Sequence, residues 1–476
     1  MSLTRSTIRL LCKVQSLCAA LSLCAVLSVR AVPAGAAEPS RDEVISVMAP
    51  FAGRAAAGIN RDKVEGKILC GYQGWFTTGG DAAGRGWRHY QLHGKFEPGF
   101  CAIDLWPDVS ELSPEERYPT PFLHANGRTA EVFSSHNRPT VLRHFQWMKE
   151  YGIDGVFVQR FGVETAEPLG LHHCNTVLAH CREGANRFGR CYALMYDLTA
   201  LDGGGVNRVI DDWKLLVNRM QLTRDKRDKA YLRHHGKPLV AVWGIGFNDN
   251  RKYSLDDCAR LVDFLRSDPL YGGNAVMIGV PTGWRTLDQD STGDKRLHEI
   301  VQSADIVSPW TVGRYKTIEE ASSHATRRWQ PDFEWCRAHE KLYLPVTFPG
   351  FSWNNLKAGA PLDEIPRQQG RFLWQQFVDL QRLGTSAIYL AMFDEMDEGT
   401  AIFKCTSDPP VGKSRFSTLE GMPNDHYLWL AGLGGKLIRG QIAPTEVPPN
   451  RPRPGKTART RGKPAKPTTA AATPTR

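Results

Sequence analysis

The chain of 476 residues contains no Cys-x-x-Cys pair and no Asn-x-Ser/Thr acceptor. The first absence removes the common cysteine zinc sites and the thioredoxin-type redox motif. The second removes an N-glycan and decides nothing about the source. A calcium loop in D-x-D-x-D-G register is also missing. So is a phosphate loop, because the glycine-rich stretch GYQGWFTTGGDAAGRGW (71–87) is not followed by a helical pattern. An excess of one charge is absent where it would matter most. The formal net charge is +10, from 60 basic and 50 acidic residues. Residues 1–37 and 441–476 together hold twelve of the basic residues and one of the acidic. The remainder therefore carries 48 basic against 49 acidic residues, and its net charge is −1. The basic balance belongs to the ends, so nucleic-acid recognition by the central domain has no support.

The two ends read as segments outside the fold. Arg5, Arg9 and Lys13 precede an apolar stretch over 14–29, and small residues follow up to Ala34-Gly35-Ala36-Ala37. That order is the pattern of a cleaved signal peptide over 1–37. It predicts export to the periplasm or the exterior, with no membrane span after cleavage. Residues 441–476 are rich in Pro, Thr, Ala and basic side chains, without apolar periodicity. They read as a disordered basic tail able to contact acidic polymers. Of eleven cysteines, eight lie beyond the signal. Nothing in their spacing selects a disulfide pairing, and buried free thiols are the plainer reading.

The central segment, 38–440, alternates between two patterns. Eight short apolar runs read as strands: 67–76, 154–161, 190–198, 237–247, 274–284, 305–312, 341–348 and 386–393. Amphipathic segments with helical spacing lie between them. Those at 140–152 and 371–384 end on glycine, and 254–268 opens on Ser254 with acids in its first turn. The charged stretch TRDKRDK (223–229) reads as a loop or solvated face. Continuous apolar strands alternating with helices predict an all-parallel sheet, and a (β/α)8 TIM barrel is its most economical closure. A doubly wound open sheet is the alternative. Residues 77–139, rich in Trp, Pro, His and Gly, form a long excursion after strand 1, expected to lie over the barrel mouth.

Function in such barrels gathers at the C-terminal ends of the strands. Reading those ends yields Tyr72, Gln73 and Trp75, then Gln159 and Arg160, then Tyr196 and Asp197. Trp243, Trp310 and Trp353 follow from later strands. Indoles and phenols interleaved with amides and acids suit the stacking of sugar rings and hydrogen bonding to their hydroxyls. An oligo- or polysaccharide is the expected ligand. Taken singly, each aromatic could equally pack between barrel and helices.

Strand 8 ends in FDEMDEGT, which places Asp394, Glu395, Asp397 and Glu398 within five residues. A solvated acidic turn, a hard-cation site and a catalytic pair compete as explanations. Glu395 and Glu398 are three apart, which on a tight turn brings their Cβ atoms to about 5–6 Å. Close carboxylates split their pKa values, one staying protonated while the other ionises. Two acids from one short loop reach a glycosidic bond more easily from one side than from both. Either another carboxylate such as Asp197 completes the site, or the substrate supplies the nucleophile.

The segments GYQGWF, GWRHY, DLWPDVSEL, YGIDGVFVQRF and FDEMDEGT resemble the glycoside hydrolase family 71/99-like proteins, over most of residues 60–435. Family 99 endo-α-mannosidases carry E-W-H-E-G-T where this chain has Glu395-Met396-Asp397-Glu398-Gly399-Thr400. The resemblance implies a retaining hydrolase on a (β/α)8 barrel that uses no cofactor and no metal. It implies that Glu395 assists the sugar 2-hydroxyl in attacking the anomeric carbon. It further implies that Glu398 acts as general acid and then base. Asp397 is expected to contact substrate, and Met-Asp in place of Trp-His points to a different glycan. A non-catalytic carbohydrate-binding barrel is the rival. The two part on whether both glutamates face an aromatic-lined pocket or bulk solvent.

Overall fold

The computed structural model describes residues 40–451, so the segment read as a signal peptide and the part of the expected tail beyond 451 lie outside the described residues. Eight parallel strands form the barrel. They are β1 (Ile68–Tyr72), β2 (Gly155–Phe161), β3 (Cys191–Asp197), β4 (Lys237–Trp243), β5 (Ala275–Val280), β6 (Ile306–Pro309), β7 in two halves (Leu342–Tyr343 and Val346–Thr347) and β8 (Ile388–Leu390). Each falls inside a run expected from the sequence. β1 pairs with β2 on one side and β8 on the other, in the registers Cys70↔Val156 and Leu69↔Tyr389.

Closure happens at β7. Its first half pairs with β6 and its second with β8, so one strand bridges the two ends of the sheet. Pro345 sits at the break. It has no N–H to continue the ladder, and its carbonyl accepts from the Tyr389 N–H at 2.9 Å. An open doubly wound sheet is thereby excluded.

Helices follow the strands and cover their outer face. The first three of this coat are α1 (Arg138–Tyr151), α2 (Pro168–Phe188) and α3 (Gly205–Leu215). Next come α4 (Leu255–Ser267), α5 (Arg296–Ser303) and the pair α6 (Ile318–His324) and α7 (Gln330–Ala338). The coat ends with α8 (Arg371–Leu383) and α9 (His426–Ile438). Their ends are chemically specified. Gly152 and Gly384 cap α1 and α8 at φ of 79° and 81°, and Ser254 opens α4 by accepting from the Asp257 N–H. The charged stretch 223–229 is a loop, although not a wholly solvated one. Asp228 is buried and accepts from Arg182 Nε at 2.9 Å and from the Tyr192 hydroxyl at 2.6 Å.

The excursion after β1 has its own aromatic core of Phe96, Trp106 and Phe122, with ring centroids between 4.9 and 6.0 Å. It also carries the antiparallel hairpin Tyr118–Leu123 with Thr129–Val132. It is tied to the end of β8 through Asp104 N–H, which donates to the Met396 carbonyl at 2.9 Å. Of the segment read as a tail, residues 441–451 lie along the barrel. There the Thr445 carbonyl accepts from Trp374 Nε1 at 2.8 Å and Arg451 pairs with Asp425 at 2.7 Å. All eight cysteines of the described residues are free, and seven are buried. No helix among the described residues is long and apolar enough to cross a membrane.

Candidate active site

The acidic turn follows β8 at the C-terminal mouth, and its four carboxylates do not share one environment. Asp394 is fully buried and faces β1, accepting from the backbone N–H groups of Gln73 and Gly74 at 2.7 and 2.8 Å. It braces two loops. Glu395 is held at both oxygens, by Gln73 Nε2 and the Thr400 hydroxyl, each at 2.6 Å. Glu398 is the most exposed of the four, and its main-chain carbonyl accepts from Ser352 N–H at 3.0 Å. Gly399 makes this turn possible. Its φ is +63°, and a Cβ there would meet the Ser352 nitrogen at 2.9 Å.

Asp397 reaches back to the excursion, with Oδ2 at 3.1 Å from Nδ1 of His89. That imidazole lies flat on the Trp75 indole, with centroids 3.8 Å apart and an interplanar angle of 5°. The other carboxyl oxygen of Asp397 is buried without a hydrogen bond in the protein. Met396, by contrast, is wholly buried. Of the two departures from E-W-H-E, therefore, only Asp397 alters the cavity wall.

Glu395, Asp397 and Glu398 line one cavity of about 1100 Å³. Gln73, Trp75, Gln159, Asp197, Trp243, Trp310 and Trp353 line it as well, so ten of the thirteen residues singled out from the sequence meet there. Aromatic pairs form two parts of the cavity wall. Trp75 packs with Phe161 at 5.3 Å on one side, and Trp243 meets Trp310 at 5.4 Å in a T-shaped contact on another.

Tyr72, Arg160 and Tyr196 do not reach the cavity, which corrects their assignment to substrate. Arg160 and Tyr196 lie opposite one another in the β2–β3 register and both face the helices. There Asp212 of α3 receives Arg160 at 2.6 and 2.7 Å and the Tyr196 hydroxyl at 2.6 Å. Tyr72 also faces outward, its hydroxyl 2.9 Å from Nδ1 of His144 on α1. The cause is strand alternation: Gln159 and Asp197 point inward, so the residues before or after them point out. The strand-end residues Trp284 and Tyr315 are likewise buried outside the cavity, against Asp332 and Gln376.

Burial dominates the electrostatics. It raises the carboxyls of Asp394 and Glu395 to about 7, against the bonds from Gln73, Gly74 and Thr400 that favour their charged forms. It pushes Glu398 well above the usual range, reinforced by the charges of Glu395 and Asp397. Asp397 is raised well above its usual value by burial and then by Glu395. His89 is driven well below its usual value by burial, with Arg88 and Arg85 adding to it. Both partners thus favour neutrality, and their contact is a hydrogen bond rather than an ion pair. Asp197 is raised by burial as well, although Thr199 N–H donates to it at 2.7 Å.

Three residues without an assigned role in the sequence support this arrangement. His89 sits in GWRHY, where its positive φ of 62° turns it back toward the acids. Asp104 sits in DLWPDVSEL, wholly buried. It accepts from Asn354 and Asn355 N–H at 2.7 and 2.8 Å and from the Ser352 hydroxyl, clamping the excursion to the loop beside Glu398. Tyr389 fills the barrel below the site and accepts from Gln159 Nε2 at 3.1 Å. Gly71 in β1 leaves room for it, since a Cβ there would come within 2.2 Å of the Tyr389 hydroxyl. The motif residues around His89 and Asp104 were visible in the sequence, while the contacts they make were not.

A closed parallel barrel with an excursion over its mouth and acids at the end of β8 places the chain in a class of fold used by glycoside hydrolases. The GH99 endo-alpha-mannosidase from Bacteroides thetaiotaomicron shares that fold with a TM-score of 0.58 and 14% identity, over 79% of this chain and 99% of its own. The structure of that enzyme in complex with bis-tris-propane superposes at a TM-score of 0.57, with 14% identity over 80% of this chain and 99% of the other. At such identity the likeness is one of fold. No protein-family model matches the chain, and no curated protein matches it.

Proposed function

We propose that the chain is an exported, retaining glycoside hydrolase acting on an α-linked glycan of the mannan or glucan type. The observation that carries the reading is the joint placement of Glu395 and Glu398 in the floor of an aromatic-walled cavity, both with carboxyls raised toward neutrality. A binding barrel has no need to gather three acids at its ligand and bury two of them, Glu395 and Asp397. Burying them costs stability, as expected where acids are tuned for proton transfer.

The two glutamates differ in a way that fits two roles. Glu395 is fixed at both oxygens and titrates near neutrality, so it is oriented to draw the proton from a sugar 2-hydroxyl as that oxygen attacks the anomeric carbon. Glu398 is less restrained and its carboxyl is raised well above the usual range, which suits donation to the departing glycosidic oxygen. In the second half-reaction Glu398 takes a proton from water as it attacks the anomeric carbon, the bond from that carbon to the 2-oxygen breaks, and Glu395 returns its proton to that oxygen. Two displacements at one carbon return the original configuration. The route uses two carboxyls and the substrate's own hydroxyl and calls on no metal ion. It also answers the spacing problem, because both acids stand on one short turn. Asp397, with its unpartnered oxygen, is placed to accept a sugar hydroxyl.

The test is hydrolysis of α-mannan, α-1,3-glucan and arabinoxylan fragments by the parent chain and by Glu398→Gln. Cleavage of an α-glycan that falls by about 10²-fold or more in the variant, with folding intact, supports the assignment. Undiminished activity in the variant removes Glu398 from the acid role, and binding of glycans without cleavage favours the rival barrel.

A further inference from the structure

At the opposite end of the barrel, a hairpin of Arg233–His234 with the start of β4 places two imidazoles side by side. His234 pairs with Lys237, so the connection is the two-residue turn His235-Gly236, with φ of 48° and 78°. Two positive φ values in succession define a type I′ turn. In a plain strand, consecutive side chains would point to opposite faces. The left-handed backbone at His235 folds its ring back instead, and the two ring centroids lie 4.0 Å apart. Glu65, just ahead of β1, brings a carboxylate to the same place, and one donor atom from each of the three residues lies within 4.8 Å of the others.

These groups are not explained by internal bonding. His234 is 97% buried, at 3% exposure, yet its Nδ1 has no hydrogen-bond partner. A buried imidazole nitrogen is ordinarily satisfied by a carbonyl, a carboxylate or water. His235 remains exposed and Glu65 half-buried, so the cluster opens to solvent on one side. We infer that Glu65, His234 and His235 form a binding site for one divalent transition-metal ion of the Zn²⁺ class. Two imidazoles and one carboxylate are the donor set of borderline cations; Ca²⁺ and Mg²⁺ require oxygen ligands. Metal–ligand bonds of about 2.0–2.2 Å need the three donors to close by roughly 1 Å. The exposed His235 and the half-buried Glu65 both reach solvent, which leaves room for that movement. Three protein ligands leave one tetrahedral position for water. The bound ion would clip the hairpin to the segment entering β1, and because it sits at the barrel base it takes no part in chemistry at the mouth.

The experiment uses the full chain without an affinity tag, stripped of metal and titrated with Zn²⁺ by calorimetry. Co²⁺ absorption serves as a probe of geometry. His234→Ala risks the hairpin itself, so the decisive variants are His235→Ala and Glu65→Gln, both at accessible positions. One equivalent of Zn²⁺ is expected to bind, with affinity falling roughly tenfold or more in each variant, a tetrahedral Co²⁺ spectrum in the parent alone, and unchanged glycan hydrolysis. No stoichiometric binding, or equal affinity in parent and both variants, would overturn the site.

Discussion

The four carboxylates after β8 do different work although five residues contain them all. Asp394 braces two loops through backbone N–H groups, Glu395 is pinned by Gln73 and Thr400, Asp397 leans on His89, and Glu398 is left the freest. Their common burial has a measurable cost. The native state keeps a proton on Glu395 up to about pH 7, whereas the unfolded chain releases it near 4.5. Between those values the native state binds more protons than the unfolded one, so stability falls as pH rises through the window. Glu395→Gln is therefore expected to stabilise the fold at pH 8 by on the order of 1–3 kcal/mol, and under the proposed function to abolish glycan cleavage. The gain should close toward pH 4, as urea unfolding at the two pH values would report. At this scale the sequence placed Glu395 and Glu398 at the cavity, where they lie, and placed Tyr72, Arg160 and Tyr196 there too, where they do not. A residue's position near a strand end is legible, but its inward or outward phase depends on a register that no single strand reveals.

Elements carry the site through their junctions. The excursion meets the acidic turn at Met396, and the β7–α8 loop meets it at Glu398, with Asp104 joining the two loops. Asp104→Ala would leave two part-buried N–H groups and the buried Ser352 hydroxyl without their acceptor, and is expected to cost about 3 kcal/mol. Activity should fall with it, measurable as a lower urea midpoint together with a reduced kcat. Gly399→Ala tests the turn itself. A left-handed φ and a close backbone neighbour predict a loss of about 1–3 kcal/mol, and a displaced Glu398 should lower kcat more than it changes KM. The strands, the capped helices and the excursion could all be read from periodicity, glycine stops and composition. The division of β7 could not, because it follows from closing the ring, where Pro345 interrupts one ladder and its two flanks serve different neighbours.

For the molecule as a whole, the near-neutral central domain agrees with a cavity whose cations are mostly already paired. Arg85 and Arg88 pair with Glu164, Arg251 with Asp249 and Lys316 with Glu364, so the walls offer neutral stacking surfaces and hydroxyl acceptors rather than a net positive field. The fold also stands without cross-links, since all eight described cysteines are free. A reducing agent is therefore expected to leave the melting temperature unchanged. A thiol count on unfolded protein spanning residues 38–476 should find eight, and fewer would show that disulfides had formed.

The account rests on two glutamates opening an α-linkage through the substrate's own hydroxyl. Proton NMR of the first sugar released from an α-mannan or α-1,3-glucan oligosaccharide tests it most directly, run for the parent and for Glu398→Gln. The expected result is an α-anomer appearing first with the parent, and no product from the variant on the same timescale. A β-anomer formed first, or equal cleavage by both proteins, would contradict it.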